Sequence, residues 1–178
     1  MITVIAGTNR PENRTNLFAK VYATQLSELG QPTQLLDLTE LHHGYVAAQM
    51  YDPAGSDPQL LDWHRRYISG VDKLAILVPE YNGSFPGVLK VFIDAISVID
   101  YGGSFGGKHI AIVGLASGRS GNIRGMDHLA DVLAHMGAWV LPNRLPISSI
   151  EDLLTDGQLT DRPTKEALRK QAQQLLAA

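Results

Sequence analysis

The stretch Leu74-Ala75-Ile76-Leu77-Val78-Pro79-Glu80-Tyr81-Asn82-Gly83 decides the fold. Its first five residues are continuously apolar, which is typical of a strand buried on both faces of a parallel sheet. Such a strand needs helices on both sides of the sheet, because each of its faces must be covered. The polar, turn-forming residues that follow mark the end of the strand. The stretch therefore predicts a three-layer α/β domain.

Short apolar runs of the same kind recur along the chain and alternate with segments of helical periodicity. The other predicted strands are Ile2–Ala6, Leu35–Leu38, Ile110–Val113 and Ala138–Leu141. Apolar residues spaced three or four apart predict helices around Phe18–Leu29, Pro58–Ile68, Val88–Ile99, Met126–Leu133 and Leu168–Leu175. This alternation predicts a doubly wound sheet of five parallel strands. A length of 178 residues fits a single domain over residues 1–178.

Composition narrows the class of function. The formal net charge is only −3, so the chain lacks the basic surplus that attracts nucleic acid or anionic membrane. There is no cysteine, which excludes disulfides, thiolate nucleophiles and iron–sulfur clusters. The histidines lack the spacing of a metal site. Neither a leader peptide nor a run of about 20 apolar residues is evident, so we expect a cytoplasmic protein that binds small molecules and copies of itself.

The loop after the first strand, Gly7–Asn16, is rich in groups that bind anions. It holds two arginines, Arg10 and Arg14, and leads into a helix expected to begin near Leu17. The free N–H groups and positive dipole end of a helix N-terminus favour a phosphate. The sequence therefore indicates a phosphate site, with helix capping and a turn as the alternative. No Walker or dinucleotide-binding glycine pattern follows this strand.

Two further loops follow the third and fourth strands. Pro79–Gly87 presents backbone polar groups and a tyrosine ring, which suits a flat heterocycle with hydrogen-bonding edges. The alternative is that Asn82-Gly83 forms only a turn. Leu115–Asn122 is small and flexible and opens into a helix. Because ligands bind beyond the carboxyl ends of strands in such sheets, we expect both loops to line one site.

Taken together, the three loops resemble those of the NADPH-dependent FMN reductase family, a flavodoxin-like group that includes chromate, azo-dye and quinone reductases. Gly7–Arg10, Pro79–Lys90 and Ser117–Gly121 carry the resemblance, which extends through about Pro142, and the middle motif is the most specific. The resemblance implies a flavodoxin-like sheet with strand order 2-1-3-4-5 and bound FMN.

The resemblance also implies which residues bind the cofactor. Residues near the helix start would hold the phosphate: Thr8, Arg10, Asn13, Thr15 and Asn16. The isoalloxazine ring would lie between Pro79, Glu80, Tyr81, Asn82 and Gly83 on one side and Ser117, Gly118, Arg119 and Gly121 on the other. Asn13 stands where the family usually has a serine, so the contacts made by Asn13, Arg14, Thr15 and Asn16 stay open.

By the same resemblance, NAD(P)H passes hydride to the flavin, and a second acceptor then takes its place. NADPH is the expected reductant, and the acceptor would be free flavin, a quinone, an azo compound or a metal ion. No catalytic side chain is needed, since the flavin carries the chemistry. Backbone N–H groups in the Tyr81–Gly83 and Ser117–Gly121 loops would stabilise developing negative charge on the ring. A flavodoxin-type electron carrier or a non-catalytic FMN-binding protein is the alternative.

Two other segments need an explanation. His42–Ser56 breaks the periodicity and is either an active-site lid or a surface insertion. The predicted helix Val88–Ile99 is apolar nearly all round, so it needs a second partner besides the sheet. That partner is either another subunit of a homodimer or homotetramer, as the family implies, or the inserted segment.

Overall fold

The computed structural model describes residues 1–41, 48–52 and 57–178. The strands are β1 (Ile2–Ala6), β2 (Thr33–Asp37), β3 (Lys73–Pro79), β4 (His109–Leu115), β5 (Trp139–Val140), β6 (Leu145–Ile147), β7 (Leu154–Thr155) and β8 (Gln158–Leu159). The α-helices are α1 (Arg14–Glu28), α2 (Pro58–Trp63), α3 (Gly87–Ile99), α4 (Tyr101–Phe105), α5 (Ile123–His135) and α6 (Arg162–Ala177). Among the described residues, no helix is both long and apolar enough to cross a bilayer.

The main sheet is parallel, with strand order β2-β1-β3-β4-β5. This confirms the predicted flavodoxin-like order. β1 and β3 pair from Ile2 opposite Lys73, and β3 and β4 pair from Lys73 opposite His109. Because the three central strands start level, their carboxyl ends come together at one edge of the sheet.

Alternate residues of the central strands enter two separate cores, one on each face of the sheet. In β3, Leu74, Ile76 and Val78 pack with residues of α2, α3 and α5. Ala75 and Leu77 pack on the opposite face with residues of α1 and α6. This division explains why β3 is continuously apolar, and it confirms the three-layer prediction.

The fifth position of the sheet differs from the prediction, because two short strands share it. β5 pairs with the start of β4, and β6 pairs with its end, from Val113 opposite Leu145 to Leu115 opposite Ile147. Pro142 lies between them and has no N–H to donate to a ladder, so the strand breaks there. β6 runs parallel to β4, as β5 does, and continues the chain to the carboxyl edge of the sheet.

Two helix boundaries also differ from the prediction. α1 begins at Arg14 instead of near Leu17, since the Asn13 side chain accepts a hydrogen bond from the Asn16 N–H at 2.8 Å and caps the helix there. α2 ends at Trp63, and the chain continues as a π-helix over His64–Ser69. The spacing of apolar residues in the sequence does not indicate where a helix is capped or where an α-helix changes to a π-helix.

The second partner of α3 includes α2. The Trp63 ring lies edge-on to Phe92 with 6.3 Å between the ring centroids, and Met50 packs against the same core. Part of the apolar surface of α3 is therefore covered within the chain. Of the segment 42–56, only residues 48–52 are described, so the interpretation of this segment as a lid lies largely outside the described residues.

Two buried basic side chains lie away from the carboxyl edge of the sheet. Lys108, directly before β4, donates to the Val71 carbonyl at 2.6 Å, and burial lowers the pKa of its ammonium group. Burial also lowers the pKa of His64, which lies within electrostatic reach of Asp100 and Lys108. These perturbed groups therefore belong to the packing at the amino end of β4.

A close backbone contact fixes the loop that follows β4. A Cβ at Gly114 would clash with the Gly121 carbonyl and would lie 2.8 Å from the Met126 sulfur. Gly121 has a φ of 58° and lies against Pro146. The loop can therefore fold back onto its own strand only because position 114 has no side chain.

We expect Gly114→Ala to lower the free energy of unfolding by about 2 kcal/mol, because the added methyl group overpacks this contact. Urea unfolding of the purified protein measures the change. Gly102→Ala is the matched control, since nothing lies within 4 Å of a Cβ at that position. Equal effects of the two substitutions would contradict this interpretation.

Candidate functional site

The candidate site lies at the carboxyl edge of the sheet. Three loops leave β1, β3 and β4 there and surround a cavity of about 340 Å³. It is lined by Arg10, Pro11, Glu12, Asn13, Arg14, Thr15, Pro79, Glu80, Tyr81, Leu115, Ala116, Ser117, Ile150 and Glu151. An adjacent cavity of about 370 Å³ is lined by Arg10, Glu80, Tyr81 and Asn82. Volumes of this size are typical of sites for small molecules and cofactors.

One end of the 340 Å³ cavity is suited to an anion. Arg10 and Arg14 both line it, as does Thr15 in the first turn of α1. The first N–H groups of a helix have no partner within the helix, and the Asn13 cap satisfies only that of Asn16. Guanidinium groups and helix N–H groups together form a donor set that matches a phosphate.

The other end is formed by a tight turn after β3. The Tyr81 N–H donates to the Ser84 carbonyl at 2.9 Å, and the Ser84 N–H donates back to Tyr81 at 3.0 Å. Asn82 and Gly83 have φ values of 52° and 77°, as a type I′ turn requires. Because the Tyr81 N–H is already paired, the prediction that N–H groups of this loop stabilise charge on a ligand now concerns Asn82 and Gly83.

Thr8 positions the site instead of lining it. Its side chain is fully buried, and its hydroxyl lies 2.7 Å from the Tyr81 hydroxyl. The same threonine oxygen accepts from the Arg10 N–H at 3.2 Å. Thr8 therefore links the loop after β1 to the aromatic ring of the loop after β3.

A second contact links the loops after β3 and β4. The Glu80 N–H donates to the Leu115 carbonyl at 2.9 Å. The Ser120 hydroxyl donates a hydrogen bond to the Glu80 carboxylate. This bond joins the loop after β4 to the loop after β3. Ser120 lies within the predicted Ser117–Gly121 loop, although it was not named among the predicted cofactor contacts.

The remaining predicted residues lie around the site without lining either cavity. The Asn16 side chain donates to the Asp37 carboxylate at the end of β2. Gly83 supplies the left-handed turn, and buried Gly121 packs on Pro146. Gly118 and Arg119 are exposed at the tip of their loop. The lining thus includes part of each predicted loop and leaves out Thr8, Asn16, Gly83, Gly118, Arg119 and Gly121.

Ile150 and Glu151 line the cavity but were missed from the sequence. The Ile150 N–H donates to the Ala116 carbonyl at 3.2 Å, and the Ser149 N–H donates to Gly118 at 3.1 Å. These bonds bring the segment after β6 to the site. The sequence contains no pattern for this approach, because it depends on the split fifth strand.

The chain is similar to known proteins in both sequence and fold. A family model described as NADPH-dependent FMN reductase matches residues 1–152. A 2-hydroxy-1,4-benzoquinone reductase from a Burkholderia species is 32% identical over 136 residues, which cover 76% of this chain and 70% of that protein. An NAD(P)H-dependent FMN reductase of Pseudomonas aeruginosa is 34% identical over 120 residues, which cover 66% of this chain and 64% of that protein.

Among solved structures, this fold is similar to the flavoenzyme NAD(P)H:(acceptor) oxidoreductase FerB from Paracoccus denitrificans. The TM-score is 0.81 at 25% sequence identity, over 99% of this chain and 94% of FerB. The family model spans all three loops that form the cavity and most of both cores. The chain belongs to the NADPH-dependent FMN reductase family.

Proposed function

We propose that the protein binds FMN in the cavity at the carboxyl ends of β1, β3 and β4 and acts as an NAD(P)H-dependent oxidoreductase. The observation that supports this most is the convergence of the three loops on one cavity, with two arginines at one end and the Tyr81–Ser84 turn at the other. The second acceptor would be free flavin, a quinone, an azo compound or a metal ion. NADPH is the proposed reductant.

In this proposal the two ends of the site have different tasks. Arg10, Arg14 and the first turn of α1 hold the phosphate, and Thr15 adds its hydroxyl. Pro79, Glu80 and Tyr81 form a wall for the ring, facing Ala116 and Ser117 across the cavity. The Thr8–Tyr81 and Ser120–Glu80 hydrogen bonds keep the walls at a fixed separation. Because the walls are already held in place, little of the free energy of binding is spent on ordering them.

FMN, when bound, supplies the hydride-transfer chemistry, and the protein supplies binding, orientation and exclusion of side reactions. No side chain is proposed as a catalytic acid or base. We place the remaining proposed contacts, Asn82, Gly83, Gly118, Arg119 and Gly121, at the edge of the ring site.

We also propose that residues 1–178 form one FMN-binding domain in a cytoplasmic homodimer or homotetramer. Exposed apolar side chains on several elements support self-association. Tyr101, Ile123 and Trp139 are 58%, 51% and 67% exposed. Large exposed aromatic and aliphatic groups of this kind are enriched where subunits meet.

The function is tested by reduction of bound flavin. We expect the protein, loaded with FMN and mixed anaerobically with NADPH or NADH, to lose its oxidised flavin absorbance within seconds. The relative rates with the two nucleotides measure the preference. If FMN binds and neither nucleotide reduces it, the carrier or non-catalytic alternative replaces the proposal. If FMN does not bind, the site itself is wrong.

The phosphate end is tested by comparing FMN with riboflavin, which lacks the phosphate. We expect Arg10→Gln to raise the Kd for FMN about tenfold and to leave the Kd for riboflavin unchanged, because only a charge-assisted contact is lost. Flavin fluorescence titration measures both constants. Arg169→Gln, on α6 far along the chain and paired with Glu28 at 2.9 Å, is the control. An equal loss of affinity for both flavins would contradict the assignment.

A further inference from the structure

A second cationic side chain beside the site, Arg124, lies against the Tyr81–Ser84 turn. The guanidinium of Arg124, in the first turn of α5, covers Gly83. A Cβ at Gly83 would lie 3.7 Å from Cζ and Nη2 of Arg124 and 3.8 Å from its Nε. Nearly equal distances to three atoms mean that the guanidinium presents its face to the turn. Its N–H bonds lie in the plane of the guanidinium and are therefore not directed at Gly83.

The charge of Arg124 is not neutralised by its neighbours. Arg124 is exposed, and no carboxylate among the described residues forms an ion pair with it. Asp127, three residues further along α5, is paired with Arg144 at 2.6 Å. Glu80, on the turn side, accepts from Ser120. The nearby acidic groups are thus engaged elsewhere.

A second basic side chain lies one helical turn further along α5. His128 Nδ1 is 2.9 Å from the Ser84 hydroxyl, which holds the imidazole against the same turn. Residues four apart share one face of a helix, so Arg124 and His128 face the same side. Together they form a small basic surface that adjoins Asn82, a lining residue of the second cavity.

This surface is held in place by close packing. A Cβ at Gly125 would lie 2.8 Å from the Ser84 carbonyl carbon, so glycine lets the first turn of α5 approach the Tyr81–Ser84 turn. The Asn122 side chain, buried at the start of α5, donates to the Val78 carbonyl at 3.0 Å. The backbone that carries Arg124 is therefore held in place, so less conformational entropy is lost when its side chain binds a ligand.

We propose that Arg124, with His128 beside it, binds a phosphate group of the nicotinamide nucleotide. This inference rests on the proposed function, because it requires the reductant to approach the site. A dinucleotide whose nicotinamide enters the cavity must leave its phosphates outside, at the rim. The phosphate end at Arg10 and Arg14 lies on the β1 side and is assigned to FMN. Arg124 supplies a separate planar donor group beside Gly83, and guanidinium geometry suits phosphate.

The test measures binding of phosphate-bearing probes without turnover. FMN-loaded protein is titrated calorimetrically with adenosine 2′,5′-bisphosphate and with ADP, for the unaltered chain and for Arg124→Gln, Arg124→Lys and Arg169→Gln. We expect Arg124→Gln to weaken binding about tenfold and Arg124→Lys to lose less, since lysine keeps the charge without the fork. Arg169→Gln, which removes the same charge from α6, should leave both affinities unchanged.

The pattern identifies the phosphate. A loss confined to the 2′,5′-bisphosphate assigns Arg124 to the 2′-phosphate and predicts a rise in KM for NADPH but not for NADH. A loss for both probes assigns it to the diphosphate and predicts a rise for both nucleotides. Unchanged affinity for both probes in Arg124→Gln overturns the proposal. The flavin spectrum of each variant reports FMN loading separately, so failure of this subsite and failure of the flavin site are distinguishable.

Discussion

The parallel pairing of β1, β3 and β4 is the constraint on which the site depends. Parallel strands run in the same direction, so the loops that follow β1, β3 and β4 leave the sheet at one edge. Each loop alone is too short to enclose a ligand. Hydrogen bonds between loops, from Thr8 to Tyr81 and from Ser120 to Glu80, join them into one enclosure. The continuous apolar pattern of β3 thus determines the fold and also the position of the cavity.

Glycine at position 114 adds a second constraint. The chain after β4 folds back so closely that the Gly121 carbonyl occupies the space of a side chain at Gly114. This contact sets where α5 begins, and with it the position of Arg124 and His128 beside the Tyr81–Ser84 turn. A packing contact in the sheet thereby determines which charged groups reach the rim of the cavity.

The two-sided core was predictable from the hydrophobic pattern of the sequence, and the strand order was predictable from the family resemblance. What could not be predicted depends on individual hydrogen bonds. Helix capping was one alternative for the loop after β1, but the sequence left open which side chain caps; Asn13 does, and α1 therefore begins at Arg14. Thr8 bonds to Tyr81 and does not line the cavity. Ile150 reaches the site through a backbone bond to Ala116, which no local pattern encodes. Side-chain partners over long sequence separations are decided by packing, which periodicity does not report.

The central claim is that the three loops form a single FMN site, and hydrogen–deuterium exchange with and without FMN tests it most directly. We expect FMN to slow exchange in residues 10–16, 79–84 and 115–121 together, and to leave exchange in α6 and at the amino ends of the strands unchanged. Protection of only one of the three segments, or protection centred elsewhere on the chain, would contradict it.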